Sequence, residues 1–455
     1  MKIINKFLII SVIASLVITS CKKTEDYYIS PNSPSSLTMA ALLSSVEVGT
    51  MNSLEGDLAR TSSILIQQNT GVQSQSQAAQ TYGLIEDQFN NHWGQIYQNL
   101  ENANQLFEMA GSNNPYYAGI SQIMSVLNWG AATDLWGDIP YSEALQIKKD
   151  ILQPKFDSQE LILAGMISTL DDAIANLNMN VSANSLVPGS DDIMFNGNIS
   201  SWIKIAYTLK ARYLNRYSNK GNYNPSAILN ALASGITSNN DNLYCVHGGG
   251  NAQNQWYAFE NNRGYIVSSA SFVDSLKLRP TDLRLQYYFS QNVNGDYIGS
   301  PVEDYNDEDT ISRFGVYLAG SEATPYPLVT YAEAKFIEAE AKVRMGDATA
   351  YASLNEAMKA SCLEVTAGAY DGFDIALYAD SSTNLSRVMY EKWLSMYGQI
   401  EAYNDYRRTG YPELTPNPGG VTNVIPKRFP IPQSERVNNP NAQSPAITTP
   451  VWWGL

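Results

Sequence analysis

The sequence predicts an all-α fold: tetratricopeptide-like helical hairpins carrying a large loop-rich insertion at residues 238–327 and an irregular C-terminal tail. Three observations predict it. Apolar residues recur at three- and four-residue spacing up to about Tyr217 and again from Tyr331 to Arg407, the period of a helix face. Between those blocks, from Ser238 to Asp309, the period mostly lapses, and Asn, Gly248-Gly-Gly250 and scattered aromatics take over. After Gly410 the chain turns rich in Pro and Asn.

Taken in order, Lys2 and Lys6 precede an apolar run from Phe7 to Val17, shorter than the roughly 20 residues that span a bilayer. Small residues Thr19 and Ser20 then lead to Cys21. This pattern predicts a lipoprotein signal peptide over 1–20, with Cys21 as the lipidation site. Ile18 stands where such signals more often carry Leu. The other reading is an ordinary cleaved signal with an incidental Cys. Residues 21–36 are polar and read as a tether, and 37–455 as one domain. Acyl chains hold a protein by about 0.8 kcal/mol per buried CH₂, so more than one chain gives a stable anchor.

Leu42, Leu43, Val46, Leu54, Leu58, Ile64 and Leu65 predict one helix or two short ones between Leu37 and Gln67. Gln68 to Asp87 is Gln-rich and aperiodic; it reads as a long loop, either functional or a disordered insert. Phe89–Ala110 and Tyr116–Thr133 form a helical hairpin around Gly111-Ser-Asn-Asn-Pro115. Asp157 and Glu160 predict the capped start of a helix to about Leu177. Ser200–Tyr217 is the next helix, and Asn224-Pro225 opens a shorter one as cap and first residue. A short helix is expected at Ser268–Leu276. Tyr331–Arg344 and Ala348–Cys362, joined at Gly346-Asp347 with small Ala at the contacts, look like a tetratricopeptide unit, although no clean 34-residue period runs through the chain. Asn384–Arg407 reads as the last long helix.

The stretch Trp129 to Leu145 begins as helix and stops at Gly137 and Pro140. Two Trp, Tyr141 and the acids Asp134, Asp138 and Glu143 crowd the break. It is either a buried corner, in which Trp136 and Tyr141 pack and the acids satisfy backbone or Arg groups, or a binding surface.

Charge narrows the function. The formal net charge is −15, and −17 without residues 1–20. An acidic chain lacks the basic face that nucleic acid or a polybasic membrane patch requires. With 29 Tyr and many Asn, Gln and Ser, the composition suits neutral polar ligands such as sugars or peptides, as it also suits an ordinary solvated surface. His92 and His247 stand apart with no Cys/His cluster, which argues against zinc, and no cofactor is expected. Cys245 and Cys362 are expected to be unpaired thiols. Asp171-Asp172 and Asp191-Asp192 are acid pairs, but a glycosidase needs two carboxylates about 5–10 Å apart across a cleft. The acidic run 303–309 lacks the Gly of an EF-hand loop and reads as a solvated charge run rather than a calcium site. Arg407-Arg408 could bind an acid of the corner or a phosphate, and reads rather as a structural ion pair.

The candidate binding residues are Gln73, Gln75 and Tyr82 of the Gln-rich stretch, with Trp256, Tyr257, Phe259, Asn261 and Arg263 of the insertion. Aromatic faces there would stack on sugar rings while Asn, Gln and Arg bond hydroxyls. The alternative is a hydrophobic satellite cluster beneath the loop.

Four stretches together resemble the SusD/RagB-like outer-membrane lipoproteins, particularly the second SusD-like branch. They are the start ending in Cys21; Trp93-x-x-x-Tyr97 with the Asp134–Glu143 corner; the 333–341 helix, Glu-Ala-Lys-Phe-Ile-Glu-Ala-Glu-Ala; and Glu391-Lys-Trp393 with 403–412 and 428–440. The resemblance implies an all-α fold with tetratricopeptide-like units and a place on the outer membrane, facing the exterior. It implies a SusC-like, TonB-dependent transporter as partner, and capture of oligosaccharides, or of peptides, without catalysis. A lipid-anchored glycoside hydrolase and a purely structural scaffold are the rivals.

Overall fold

The computed structural model describes residues 37–305, 309–370 and 383–455. The signal segment, Cys21, the tether and residues 306–308 of the acidic run lie outside the described residues.

The predicted all-α class holds. The N-terminal block is α1 (Met39–Glu55), α2 (Asp57–Leu65), α3 (Ser74–Gln80), α4 (Asn90–Ala110), α5 (Pro115–Trp136), α6 (Gln159–Leu177), α7 (Ile199–Asn215) and α8 (Pro225–Leu232). The insertion contributes α9 (Gln255–Asn262), α10 (Ala270–Lys277), α11 (Arg284–Tyr288) and α12 (Val316–Ala319). The C-terminal block is α13 (Tyr331–Met345), α14 (Ala350–Val365), α15 (Leu385–Ser395), α16 (Ile400–Thr409) and α17 (Gln433–Asn438). Short strands β1 (Asn69–Gly71), β2 (Ile139–Pro140), β3 (Phe156–Asp157), β4 (Leu243–Cys245), β5 (Ile266–Ser268) and β6 (Tyr326–Val329) pair antiparallel as β1–β5, β2–β3 and β4–β6.

Successive helices pack as neighbours: α4 on α5, α5 on α6, α6 on α7, α7 on α8, and α13 on α14. Their apolar stripes meet in one large core, with a smaller cluster of Phe336, Leu354, Met358, Cys362 and Val388 between α13, α14 and α15. Starts and stops follow local chemistry. Asn224 accepts from Ala227 N at 3.1 Å ahead of Pro225, as expected. Gly346 closes α13 in the left-handed region at φ 71°. The start of α6 differs from expectation: Ser158 is its cap, while Asp157 sits in β3 and accepts from Ser142 N at 2.6 Å.

Two further expectations are corrected. The predicted helix Asn384–Arg407 is two helices, because Gly398 turns the chain at φ 75°. That turn is held from two sides: Gly398 N donates to Gln68 Oε1 at 3.0 Å, and Tyr326 Oη donates to Gly398 O at 2.9 Å. The Gln-rich stretch is ordered rather than one long loop: β1 and α3 lie within it. Gln68, Asn69 and Thr70 are buried, and Gln68 Nε2 also donates to Trp393 O at 2.7 Å. A buried amide serving another element's backbone groups leaves no periodic signal in the sequence.

The Trp129–Leu145 stretch is a buried corner. Gly137 ends α5 at φ 85°. Trp136 is 0 % exposed, donates to Pro430 O at 2.9 Å, and meets Trp93 edge-on with ring centroids 5.3 Å apart. Tyr141 stands edge-on to Trp129 at 4.9 Å. Asp134 accepts from Arg216, Asn404 and the Trp453 indole. Asp138 accepts from Gln159 N, and Glu143 from Lys155 N. Arg408 pairs with Glu340 and Asp405, whereas Arg407 donates to the carbonyls of Asp134 and Lys427. Arg407-Arg408 is therefore structural, but the expected ion pair holds for Arg408 alone: Arg407 bonds backbone carbonyls and Asn404 Oδ1 instead of a carboxylate. Cys245 and Cys362 are buried and unpaired, and no helix among the described residues is long and apolar enough to cross a membrane.

Candidate binding clefts

The insertion returns to the scaffold through the β1–β5 ladder. Gly71 pairs with Ile266, and Val72 N donates to Tyr265 O at 2.9 Å. Backbone pairing thereby brings the Gln73 end of the first candidate group beside the Arg263 end of the second.

α9 is the element that builds the site, and the lapse of apolar period hid it from the sequence reading. Asn254 caps it, accepting from Tyr257 N at 2.8 Å, and Asn254 Nδ2 donates to Thr324 O. Trp256 and Phe259, three residues apart, face inward. Gln255, Ala258, Phe259, Asn262 and Arg263 then line an open cleft of about 590 Å³ with Arg60 of α2 as its other wall. The Arg60 guanidinium lies 4.4 Å from the Phe259 ring centroid. It is fixed there by Asp57 Oδ1 at 2.6 Å and Gln255 O at 3.0 Å. Burial pushes the Asp57 carboxyl up, but His92 and Arg60 pull harder and leave it below the usual carboxylate range. Arg60 is thus neutralised by its own partner. No carboxylate is among the six lining residues.

Beside α3 lies a second cleft of about 360 Å³, lined by Ser74, Gln75, Ala78, Ile85, Asp87 and Gln88. It shares Ile85 and Asp87 with a third, of about 500 Å³, whose far wall is the C-terminal tail at Pro430, Gln433 and 444–447.

Several candidate residues change role. Trp256 is 0 % exposed and stands edge-on to Phe314 at 5.2 Å, so it offers no face to a ligand. Tyr82 is 2 % exposed, and its Oη accepts from Asn417 N at 2.8 Å, pinning the tail. Phe259 is 9 % exposed and lines the cleft with its ring covered by Arg60. The physical reason is common to all three. In a loop-rich segment without long helices, large aromatics supply the core. Arg263 is exposed in the first cleft and Gln75 in the second. Tyr257 is half-buried, and Gln73 and Asn261 are exposed beside the clefts without lining them. Arg60 and Asn262 were missed: Arg60 sits in a segment that reads as core helix, and Asn262 is one of many Asn. No group of three or more His, Cys, Asp or Glu among the described residues is placed to hold a metal ion.

The model of the SusD-like family described as "Starch-binding associating with outer membrane" matches residues 31–432. Among solved structures, a SusD/RagB family protein from Bacteroides thetaiotaomicron is 25 % identical with a TM-score of 0.77, covering 92 % of this chain and 99 % of that one. A chitin-binding protein is likewise 25 % identical with a TM-score of 0.77, covering 92 % and 100 %. A chitin-binding SusD homolog from Flavobacterium johnsoniae, 22 % identical, shares the fold with a TM-score of 0.76 over 91 % and 98 %. No curated protein matches the chain.

Proposed function

The chain belongs to the SusD-like family of starch-binding, outer-membrane-associated proteins, and from that premise we propose that it captures nutrient oligosaccharides and hands them to a SusC-like, TonB-dependent transporter without cleaving them. It does so on the outer face of the outer membrane, held by acyl chains on Cys21 and a short tether. The observation that carries the reading is the family match across residues 31–432. The α9 cleft is the proposed capture site. Its open shape suits a chain of sugars: Asn262 offers both a donor and an acceptor to hydroxyl groups, while Gln255, whose Nε2 already donates to Asn52 O and Oδ1, offers its Oε1 as an acceptor. With Trp256 turned inward, the Phe259 ring under Arg60 and Tyr257 outside the lining, polar side chains make most of the contact. The lining set also lacks the two carboxylates that glycoside hydrolysis requires.

Calorimetric titration with starch- and chitin-derived oligosaccharides and with short peptides tests this. Saturable binding is expected to at least one class. Asn262→Ala and Gln255→Ala should each weaken it about two- to tenfold, the worth of one neutral hydrogen bond. A β-barrel transporter should co-purify from native membranes. New reducing ends during incubation would favour a hydrolase. No binding to any ligand, together with no co-purifying barrel, would leave a structural scaffold.

A further inference from the structure

Arg263 stands apart from every other arginine in the chain. Each of the others pairs with a carboxylate or donates to a backbone carbonyl. Arg263 is exposed in the α9 cleft and makes no ion pair or side-chain hydrogen bond to any described residue; its one recorded contact is a long cation–π approach over the Tyr265 ring, 6.0 Å from the centroid. It follows the last residue of α9, where a cation also favours the helix dipole. That role does not explain why the guanidinium leaves the terminal carbonyls unbonded. The nearby acids are already engaged: Asp57 holds Arg60 and faces His92, and Glu260 lies 3.7 Å from Arg313. Asn261 and Asn262 precede Arg263 and are likewise exposed, with no side-chain hydrogen bond to a described residue. In a chain of net charge −15, an uncommitted planar cation at the mouth of a cleft without carboxylates is a local positive site.

We propose that the α9 cleft takes an oligosaccharide bearing a carboxylate, a uronate, whose two oxygens meet the Arg263 fork while Asn262 and Gln255 bond neighbouring hydroxyls. This rests on the reading of the cleft as the capture site and names the ligand class for it. Guanidinium matches a carboxylate through two parallel hydrogen bonds, which a neutral ester does not offer.

The test is calorimetry at low and at 0.5 M salt on the whole lipid-free protein. The ligands are an oligogalacturonate, its methyl ester, a sulfated oligosaccharide and neutral malto- and chito-oligosaccharides. The acid should bind about tenfold tighter than its ester at low salt, the worth of one charge-assisted hydrogen bond, and high salt should shrink that ratio. In Arg263→Gln the ratio should fall to near one, with Arg263→Lys between, while the thermal midpoint stays put because the side chain is exposed. Equal binding of acid and ester by the wild type would overturn the inference and leave the capture reading standing. An unchanged ratio in Arg263→Gln would overturn the assignment to this residue, and tighter binding of the sulfated sugar would overturn the carboxylate. Binding to none of these ligands would sink the capture of sugars itself.

Discussion

Glu47 in α1 shows how burial decides the charge of a single residue. Its Oε2 accepts from Ile193 N at 2.8 Å, while its Oε1 has no hydrogen-bond partner among the described residues. Beside it, Asp192 is saturated, accepting from Phe195 N, Gly197 N and the Trp202 indole. Burial first, and then the Asp192 charge, push the Glu47 carboxyl up to about 10 from the ordinary 4.5. It therefore keeps a proton when folded that it loses when unfolded. Between those two values the folded state holds the extra proton, so stability falls as pH rises, by at most about 1.4 kcal/mol per pH unit. Glu338 and Glu340, both held near 2 in spite of burial by their Lys and Arg partners, stay ionised throughout that window and add nothing to the slope. Glu47→Gln cannot ionise. Its stability relative to wild type, read from urea midpoints, should grow from pH 5 to pH 9, and parallel curves would refute the protonated assignment. None of this is legible in the sequence, where Glu47 is one acid on an amphipathic helix. The same holds for the candidate site. Arg263 could be picked out because a charge among loop aromatics is uncommon. Trp256 misled because a Trp in a segment without period gives no sign of which way it faces.

At the scale of elements, helices were legible wherever one face stays apolar over several turns, as in α4, α5 and α13. Turns held by distant side chains were not. The break between α15 and α16 is invisible in the periodic pattern because Trp393, Tyr397, Ile400 and Tyr403 continue it. Gly398 is the one local sign, and it gains its meaning from Gln68, Tyr326 and Leu318. A Cβ there would lie 2.7 Å from Leu318 Cδ1 with the backbone at φ 75°, whereas at Gly346, with φ 71°, it would meet nothing within 4 Å. Gly346→Ala should therefore cost only the left-handed backbone term, about 1–2 kcal/mol. Gly398→Ala should cost that and the steric overlap as well. Equal costs in chemical denaturation would mean that Leu318 yields freely and that the turn is less constrained than its packing implies.

At the scale of the whole molecule, the irregular tail was legible as irregular but not as core. Phe429, Ile431, Val451 and Trp453 are buried in the main cluster alongside Trp93, Trp136 and Tyr403. The Trp453 ring lies beneath two guanidinium groups, 5.3 Å from Arg216 and 4.8 Å from Arg407, and its indole N–H donates to Asp134 Oδ1 at 3.1 Å. Asp134 in turn holds Arg216, which also binds Glu401 at 2.6 Å. The last residues thus close a buried charge network that joins α5, the turn at Arg216 that follows α7, and α16. Tails rich in Pro and Asn read as surface straps because they have no period, yet a strap that satisfies buried carboxylates is part of the core. Removing residues 450–455 should remove the Trp453 ring, at about 3–5 kcal/mol, and leave Asp134 short of a donor at a further ~1–3 kcal/mol. Because one cluster spans both helical blocks, the loss should appear as a lower midpoint of a single cooperative transition followed by near- and far-ultraviolet circular dichroism. Two separated transitions, or an unchanged midpoint, would show that the blocks fold independently and that the tail is a surface strap after all.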